Sequence, residues 1–189
     1  MENFGNYIRS VLSVPEAECG LILSFFESSN LGKNEYLVEE GRVCRYLNFI
    51  ESGVVRYKKY EKDGSETTCF FLAENDFVGD PESFFDQKPS ALNAQAITDL
   101  QLTRISRSQY DKLNKAYPEA SAIYATIDHL TLKNLLDQRD FLMNKDADFR
   151  YRKFIEKFSH IHNRIPLQYI ASFLEIAQPS LSRLRKQMT

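Results

Sequence analysis

No apolar run in this 189-residue chain approaches the roughly 18 residues that a membrane helix needs, which excludes an integral helical membrane protein. The opening Met1-Glu-Asn-Phe-Gly-Asn-Tyr7 lacks the basic start and apolar stretch of a secretory signal, so the expected location is cytoplasmic. Cysteine is scarce. Cys19, Cys44 and Cys69 stand 25 residues apart, form no CxxC pair and are odd in number, which argues against a disulfide framework and for inert thiols in a reducing compartment. A Gly-rich phosphate loop, a nucleophile elbow and an HExxH helix are all missing, and repeats or low-complexity segments are missing too. No catalytic constellation is visible, so the chain reads as a binding protein and not an enzyme.

What is present is unevenly charged. From Arg150 onward eight basic residues face only Glu156 and Glu175, a formal +6, while the whole chain carries −2 and the first 149 residues therefore −8. A basic tail on an acidic body suits a phosphate-backbone partner.

The texture of the chain changes twice. The first 30 or so residues read as helical, with the capping box Ser13-Val-Pro-Glu16, the apolar set Leu21, Ile22, Phe25 and Phe26, and a stop at Asn30-Leu-Gly32. From Glu35 to Ile105, short β-prone runs alternate with turns, the rhythm of a sandwich or barrel. Asp63-Gly64 marks a hairpin, and Arg56, Lys58 and Glu66 alternate so as to give its strands one wet face. Helical spacing returns at the capping box Ser106-Arg-Ser-Gln109. Pro118 opens a long helix to Leu142 whose wide apolar stripe covers the β domain on one side and a partner helix on the other, with Ile123, Ile127 and Leu130 as the dimer interface. Asn144 to Asp148 is the hinge, followed by a basic amphipathic helix over Arg150–Ile161 and a turn or wing at His160–Arg164.

The last stretch carries the most information. Pro166 suits a helix start, and Leu167, Ile170, Phe173 and Leu174 form an apolar face with small Ala171 at a close crossing. Ile176 plugs the corner, and Leu181 and Leu184 bury a second helix, leaving Gln178, Ser180, Ser182, Arg183 and Lys186 outward for a DNA major groove. This block resembles the helix-turn-helix of the Crp/Fnr superfamily, and the resemblance runs upstream through Leu47–Val55, Asp76-Phe-Val-Gly-Asp80 and the long helix. It implies an α+β chain: an N-terminal cyclic-nucleotide-binding-like double-stranded β-helix or β-roll (jelly-roll-like) over residues 1–116, a dimerisation helix over 117–143, and a winged helix-turn-helix over 144–189. It implies a homodimer on palindromic double-stranded DNA, RNA polymerase as a further partner, and a base-contacting role for Arg183. Two positions depart from the family: Glu175 replaces the usual turn glycine and Ala177 the usual Ser/Thr cap.

The resemblance also locates an effector pocket at Gly79, Asp80, Ser90 and Ala91. The arginine that pairs with a cyclic phosphate in nucleotide-binding relatives is Pro89 here, with Lys88 one residue earlier. Without that guanidinium the cradle loses charge-assisted bonding of about 1.5–3 kcal/mol, so cyclic AMP or GMP is not the expected effector. Other sensing routes fare no better. An iron–sulfur cluster needs four cysteines, His129 is the lone histidine before residue 160, and His160-Ile-His162 has ring spacing wrong for one metal. No cofactor or metal is expected, and the effector stays unidentified. The rival reading is a ligand-binding or protein-interaction module whose C-terminal helices contact protein and read no DNA sequence.

Overall fold

The alternating segment builds two four-stranded antiparallel sheets in this computed structural model. The model describes residues 2–12, 15–143 and 146–187, without the side chains of 12, 122–124, 126–128, 130, 131, 134 and 141. One sheet has the order β1 (Glu27–Leu31), β8 (Leu100–Ser106), β3 (Tyr46–Ser52) and β6 (Phe77–Val78). The other has the order β2 (Tyr36–Val38), β7 (Asn93–Ala96), β4 (Val55–Tyr60) and β5 (Glu66–Leu72). Strands alternate between the sheets along most of the chain, the winding of a β-roll. Inward residues such as Val38, Ile50, Val55, Leu72, Val78 and Leu102 fill the space between them.

Two expectations need correcting here. Glu27–Leu31 was expected to continue a helix, but it pairs with β8 in register from Glu27 opposite Arg104 to Leu31 opposite Leu100. Helix α1 (Glu2–Leu12) and helix α2 (Glu16–Leu23) end before it; the Ser13 capping position lies outside the described residues. The hairpin face of β4 and β5 is not wet either. The Arg56 and Lys58 side chains are only 4% and 2% exposed and share the Glu66 carboxylate. Tyr169 covers Arg56 at 3.6 Å from its ring, and the Tyr36 and Tyr60 rings flank Lys58. Tyr169 of a helix packed on that face, with Tyr36 and Tyr60 from the strands themselves, replaces water with aromatic rings, which is why alternation alone misread it.

Helix α3 (Pro81–Asp86) interrupts the roll between β6 and β7. Ser106 caps helix α4 (Arg107–Ala116) by accepting the Gln109 amide, as its capping box requires. A 3₁₀ turn at Pro118–Ala120 leads into α5 (Ser121–Leu142), and Asp146 caps α6 (Ala147–Lys157). Residues 144 and 145 of the expected hinge lie outside the described residues. No strand follows β8 among the described residues: of the turn or wing expected at His160–Arg164, the structure has the turn, closing in a 3₁₀ helix, His162–Arg164. Then come α7 (Leu167–Phe173) and α8 (Gln178–Gln187). Among the described residues no helix is long and apolar enough to cross a membrane.

The C-terminal helices share one core with the roll. Phe71 of β5 sits edge-on to Phe154, Phe158 and Phe173, with ring centroids 6.0, 5.9 and 5.2 Å away. Leu174 and Leu181 complete the cluster at 0% exposure. Gln138 of α5, also buried, accepts the Phe71 amide at 3.4 Å. One face of α5 therefore covers the β domain, as its stripe requires.

Candidate DNA-reading helix and effector pocket

The turn between α7 and α8 is tight because Glu175 takes φ 53°, the left-handed region, and the Ile176 amide then reaches back to Ala171 O at 3.1 Å. A side chain in that region carries a steric cost that glycine avoids. Glu175→Gly is expected to raise stability by about 0.5–1 kcal/mol, seen as a Tm increase of about 1–4 °C by calorimetry, after the entropy of the unfolded glycine is offset. An unchanged or lower Tm would mean that the Glu175 side chain contributes a contact larger than its strain.

Leu181 is fully buried against α7 and Leu184 is half-buried, and these fix the rotation of α8. Gln178, Ser180, Arg183 and Lys186 are exposed, while Ser182 is half-buried and less outward than expected. The Arg183 and Lys186 side chains have no ion-pair partner among the described residues.

The charge of the tail is less free than its sum. Arg164 closes a two-pronged pair on Glu74 of the β5–β6 turn, with both N–O distances 2.6 Å. Burial opposes a charged Glu74, but the Arg164 guanidinium and the Gly53 amide outweigh it and hold the carboxyl at about 2. Arg152 pairs with Asp148 at 2.7 Å, Lys153 with Glu156 at 2.8 Å, and Lys157 with Asp137 at 3.7 Å. Three basic residues of α6 thus have acidic partners at the surface, whereas Arg183 and Lys186 of α8 have none among the described residues. The Arg164–Glu74 clamp spans 90 residues, and no local pattern announces it.

In the roll, Gly79, Asp80 and Ser90 do come together. A Cβ at position 79 would lie 2.8 Å from the tip of the Leu47 side chain and in ordinary contact with the Tyr46 carbonyl at 3.5 Å, so a larger residue there would have to move Leu47. Asp80 is the N-cap of α3: its carboxylate accepts the Ser83 amide at 3.1 Å and the Ser90 hydroxyl at 2.6 Å. The protein's own anion therefore stands at the positive end of that helix. Ala91 faces solvent, outside this group. Lys88 lies 3.0 Å from Asp86 with its side chain 67% exposed, and Pro89 bridges Val43. Neither gives the Asp80–Ser90 pair a cation.

Sequence reasoning missed Tyr57. Its hydroxyl donates to Gly79 O at 2.6 Å and accepts the Gly79 amide at 2.9 Å, while its ring stacks on Phe70 at 4.3 Å. Burial pushes the Tyr57 hydroxyl well above the ordinary tyrosine range, so it stays a neutral donor. The inward parity of Tyr57 on a strand beside polar Arg56 and Lys58 was its only sequence signal. Ile123, Ile127 and Leu130 lie on α5, but their side chains are outside the described residues. On the same helix Leu132 and Leu136 are 58% and 47% exposed. Among the described residues no group of three or more His, Cys, Asp or Glu side chains could hold a metal ion.

Residues 29–117 match the cyclic nucleotide-binding domain family. A curated relative, the anaerobic regulatory protein of Bacillus subtilis (strain 168), is 26% identical over 92 residues, covering 49% of this chain but only 39% of that protein. Among solved structures, the regulator CLP of Xanthomonas campestris, described as c-di-GMP responsive, aligns with TM-score 0.72 at 18% identity, covering 92% of this chain and 91% of that one. FixK2 of Bradyrhizobium japonicum aligns with TM-score 0.72 at 19% identity, covering 86% and 84%. The catabolite activator protein of Thermus thermophilus aligns with TM-score 0.54 at 22% identity, covering 93% and 84%.

Proposed function

We propose that the chain is a regulator of the Crp/Fnr type, a reading supported by its match to the cyclic nucleotide-binding domain and by its fold, and that it is a dimeric, cytoplasmic, DNA-binding transcription regulator that does not respond to cyclic AMP. Residues 1–116 serve as the sensor domain, 117–143 as the dimerisation helix and 144–189 as the DNA-binding domain. The observation that carries this reading is α8: a helix pinned by Leu181 whose outward face offers Gln178, Ser180, Arg183 and Lys186 with both cations unpaired among the described residues. Short polar groups and free guanidinium or ammonium ends on one helix face are what base edges and phosphates accept. RNA polymerase is the protein partner such a regulator would meet on DNA. The test is binding to randomised DNA at several salt concentrations. Enrichment of a palindrome whose affinity falls steeply with salt is expected; binding that ignores sequence, or no binding at low salt, overturns it.

The insensitivity to cyclic AMP rests on Tyr57 and Asp80. A cyclic phosphate entering beside α3 would meet the Asp80 carboxylate, which pairs with no guanidinium among the described residues. Its ring would have to displace the Tyr57–Phe70 stack and the two Tyr57–Gly79 hydrogen bonds. Calorimetry with cyclic AMP or cyclic GMP should therefore show no heat at ligand concentrations below about 1 mM. Clear micromolar binding would overturn this and make Tyr57 a side chain that swings aside.

A further inference from the structure

Where α1, the β5–β6 turn, α5 and the end of α6 meet, a half-open cleft of about 400 Å³ includes Tyr7, Asp76, Lys133, Asp137, Lys157 and His160 in its polar lining, with Glu74 and Asn75 beside them. That volume suits a small molecule. Three of these groups are under-used. The Tyr7 hydroxyl is buried without a hydrogen-bond partner, and Lys133 has no ion-pair partner among the described residues. Asp76 Oδ2 accepts the Ala73 amide at 2.9 Å, and no bond to its Oδ1 is made among the described residues. A buried hydroxyl or carboxylate left short of partners costs free energy that a bound ligand can recover.

The charges decide what fits. Glu74 at the rim is neutralised by Arg164, and Lys157 approaches Asp137 at 3.7 Å. That leaves Asp76 on the roll's side of the cleft and Lys133 on α5, with His160 near Asp76. A simple anion would sit against Asp76 and a simple cation against Lys133, each leaving an opposite charge unmatched. We propose that this cleft binds a small zwitterion with an apolar body, of the class of a free hydrophobic amino acid or short peptide. Its ammonium faces Asp76, its carboxylate faces Lys133 and the Tyr7 hydroxyl, and its apolar body rests on Leu72 and Phe158. The cleft joins the roll to α6, so occupancy would bear on how the C-terminal helices are held. That consequence rests on the DNA-binding reading; the binding itself does not.

The test is calorimetry on the full chain without DNA, using four probes: phenylalanine, alanyl-phenylalanine, 3-phenylpropanoate and phenethylamine. The two zwitterions should bind with Kd below about 1 mM. The two singly charged analogues should bind at least about tenfold more weakly, each lacking one charge-assisted bond. Lys133 is exposed, so Lys133→Gln should fold normally, weaken phenylalanine by about tenfold and leave phenethylamine unchanged. Equal binding of 3-phenylpropanoate and phenylalanine overturns the proposal. So does an indifferent Lys133→Gln, or no heat from any probe at about 10 mM with folded wild type.

Discussion

A chain carrying Leu132→Asp and Leu136→Asp together is expected to sediment as a monomer and to lose about two orders of magnitude or more in affinity for a palindromic site. The two leucines are 58% and 47% exposed and one turn apart on α5, with Met143 at 69% further along the same stripe. Gln138 lies on the opposite face, 2% exposed and bonded to Phe71, so the rotation of the helix is set and the leucine stripe points away from the roll. Each leucine buried against a partner helix contributes about 1.5–3 kcal/mol, and a dimer buries both stripes. An aspartate there forfeits that burial and brings like charges together across the seam. DNA affinity follows because two linked reading helices bind as one unit, whereas separated ones bind each half-site alone. The double variant should keep its fold, since neither side chain contributes to the core. Sedimentation as an unchanged dimer would move the seam elsewhere, the N-terminal half of α5 with Ile123, Ile127 and Leu130 being the next place to mutate.

The parts of this molecule that follow local rules could be read from sequence. The spacing of Leu167, Ile170, Phe173 and Leu174, then of Leu181 and Leu184, sets two short helices within a single turn of their observed bounds. Ser106 and Asp63-Gly64 likewise act within a few residues of themselves. What escaped depends on partners far along the chain. Glu-Ser-Ser-Asn-Leu at 27–31 has no alternation and is a strand only because β8 pairs with it. Arg56 reads as solvated until Tyr169 of α7, more than a hundred residues later, covers it, and Lys58 until Tyr36 of β2 and Tyr60 flank it. The effector group was half legible: Gly79, Asp80 and Ser90 meet as the resemblance implied, but Tyr57 enters from another strand and Asp80 turns inward as a cap. A basic tail also overstated the free charge, because Arg164 and most of α6 are paired within the protein.

Replacing Arg183 with Ala is expected to cost about 1–3 kcal/mol at one base pair in each half-site, roughly double that over a palindrome, and to relax sequence preference at that position. Arg183 lies between buried Leu181 and half-buried Leu184, yet its side chain is exposed and pairs with no acid among the described residues. Its removal therefore leaves no orphaned carboxylate and no cavity, and thermal stability should stay within about 0.5 kcal/mol of wild type. A guanidinium on the outer face of a groove-lying helix pairs best with the two acceptors of a guanine, O6 and N7. Lys153 serves as the contrast. It pairs with Glu156 on α6, away from the outward face of α8, where its DNA contact would be phosphate; Lys153→Gln should weaken all sequences alike and flatten the salt dependence. In a dimer the two Arg183 side chains should read half-sites about 34–36 Å apart, one helical turn of DNA. The measurement is a parallel selection on randomised DNA with wild type, Arg183→Ala and Lys153→Gln. If wild type and Arg183→Ala enrich the same palindrome with equal preference at every position, Arg183 reads no base, and the reading face of α8 must be reassigned to Gln178 and Ser180.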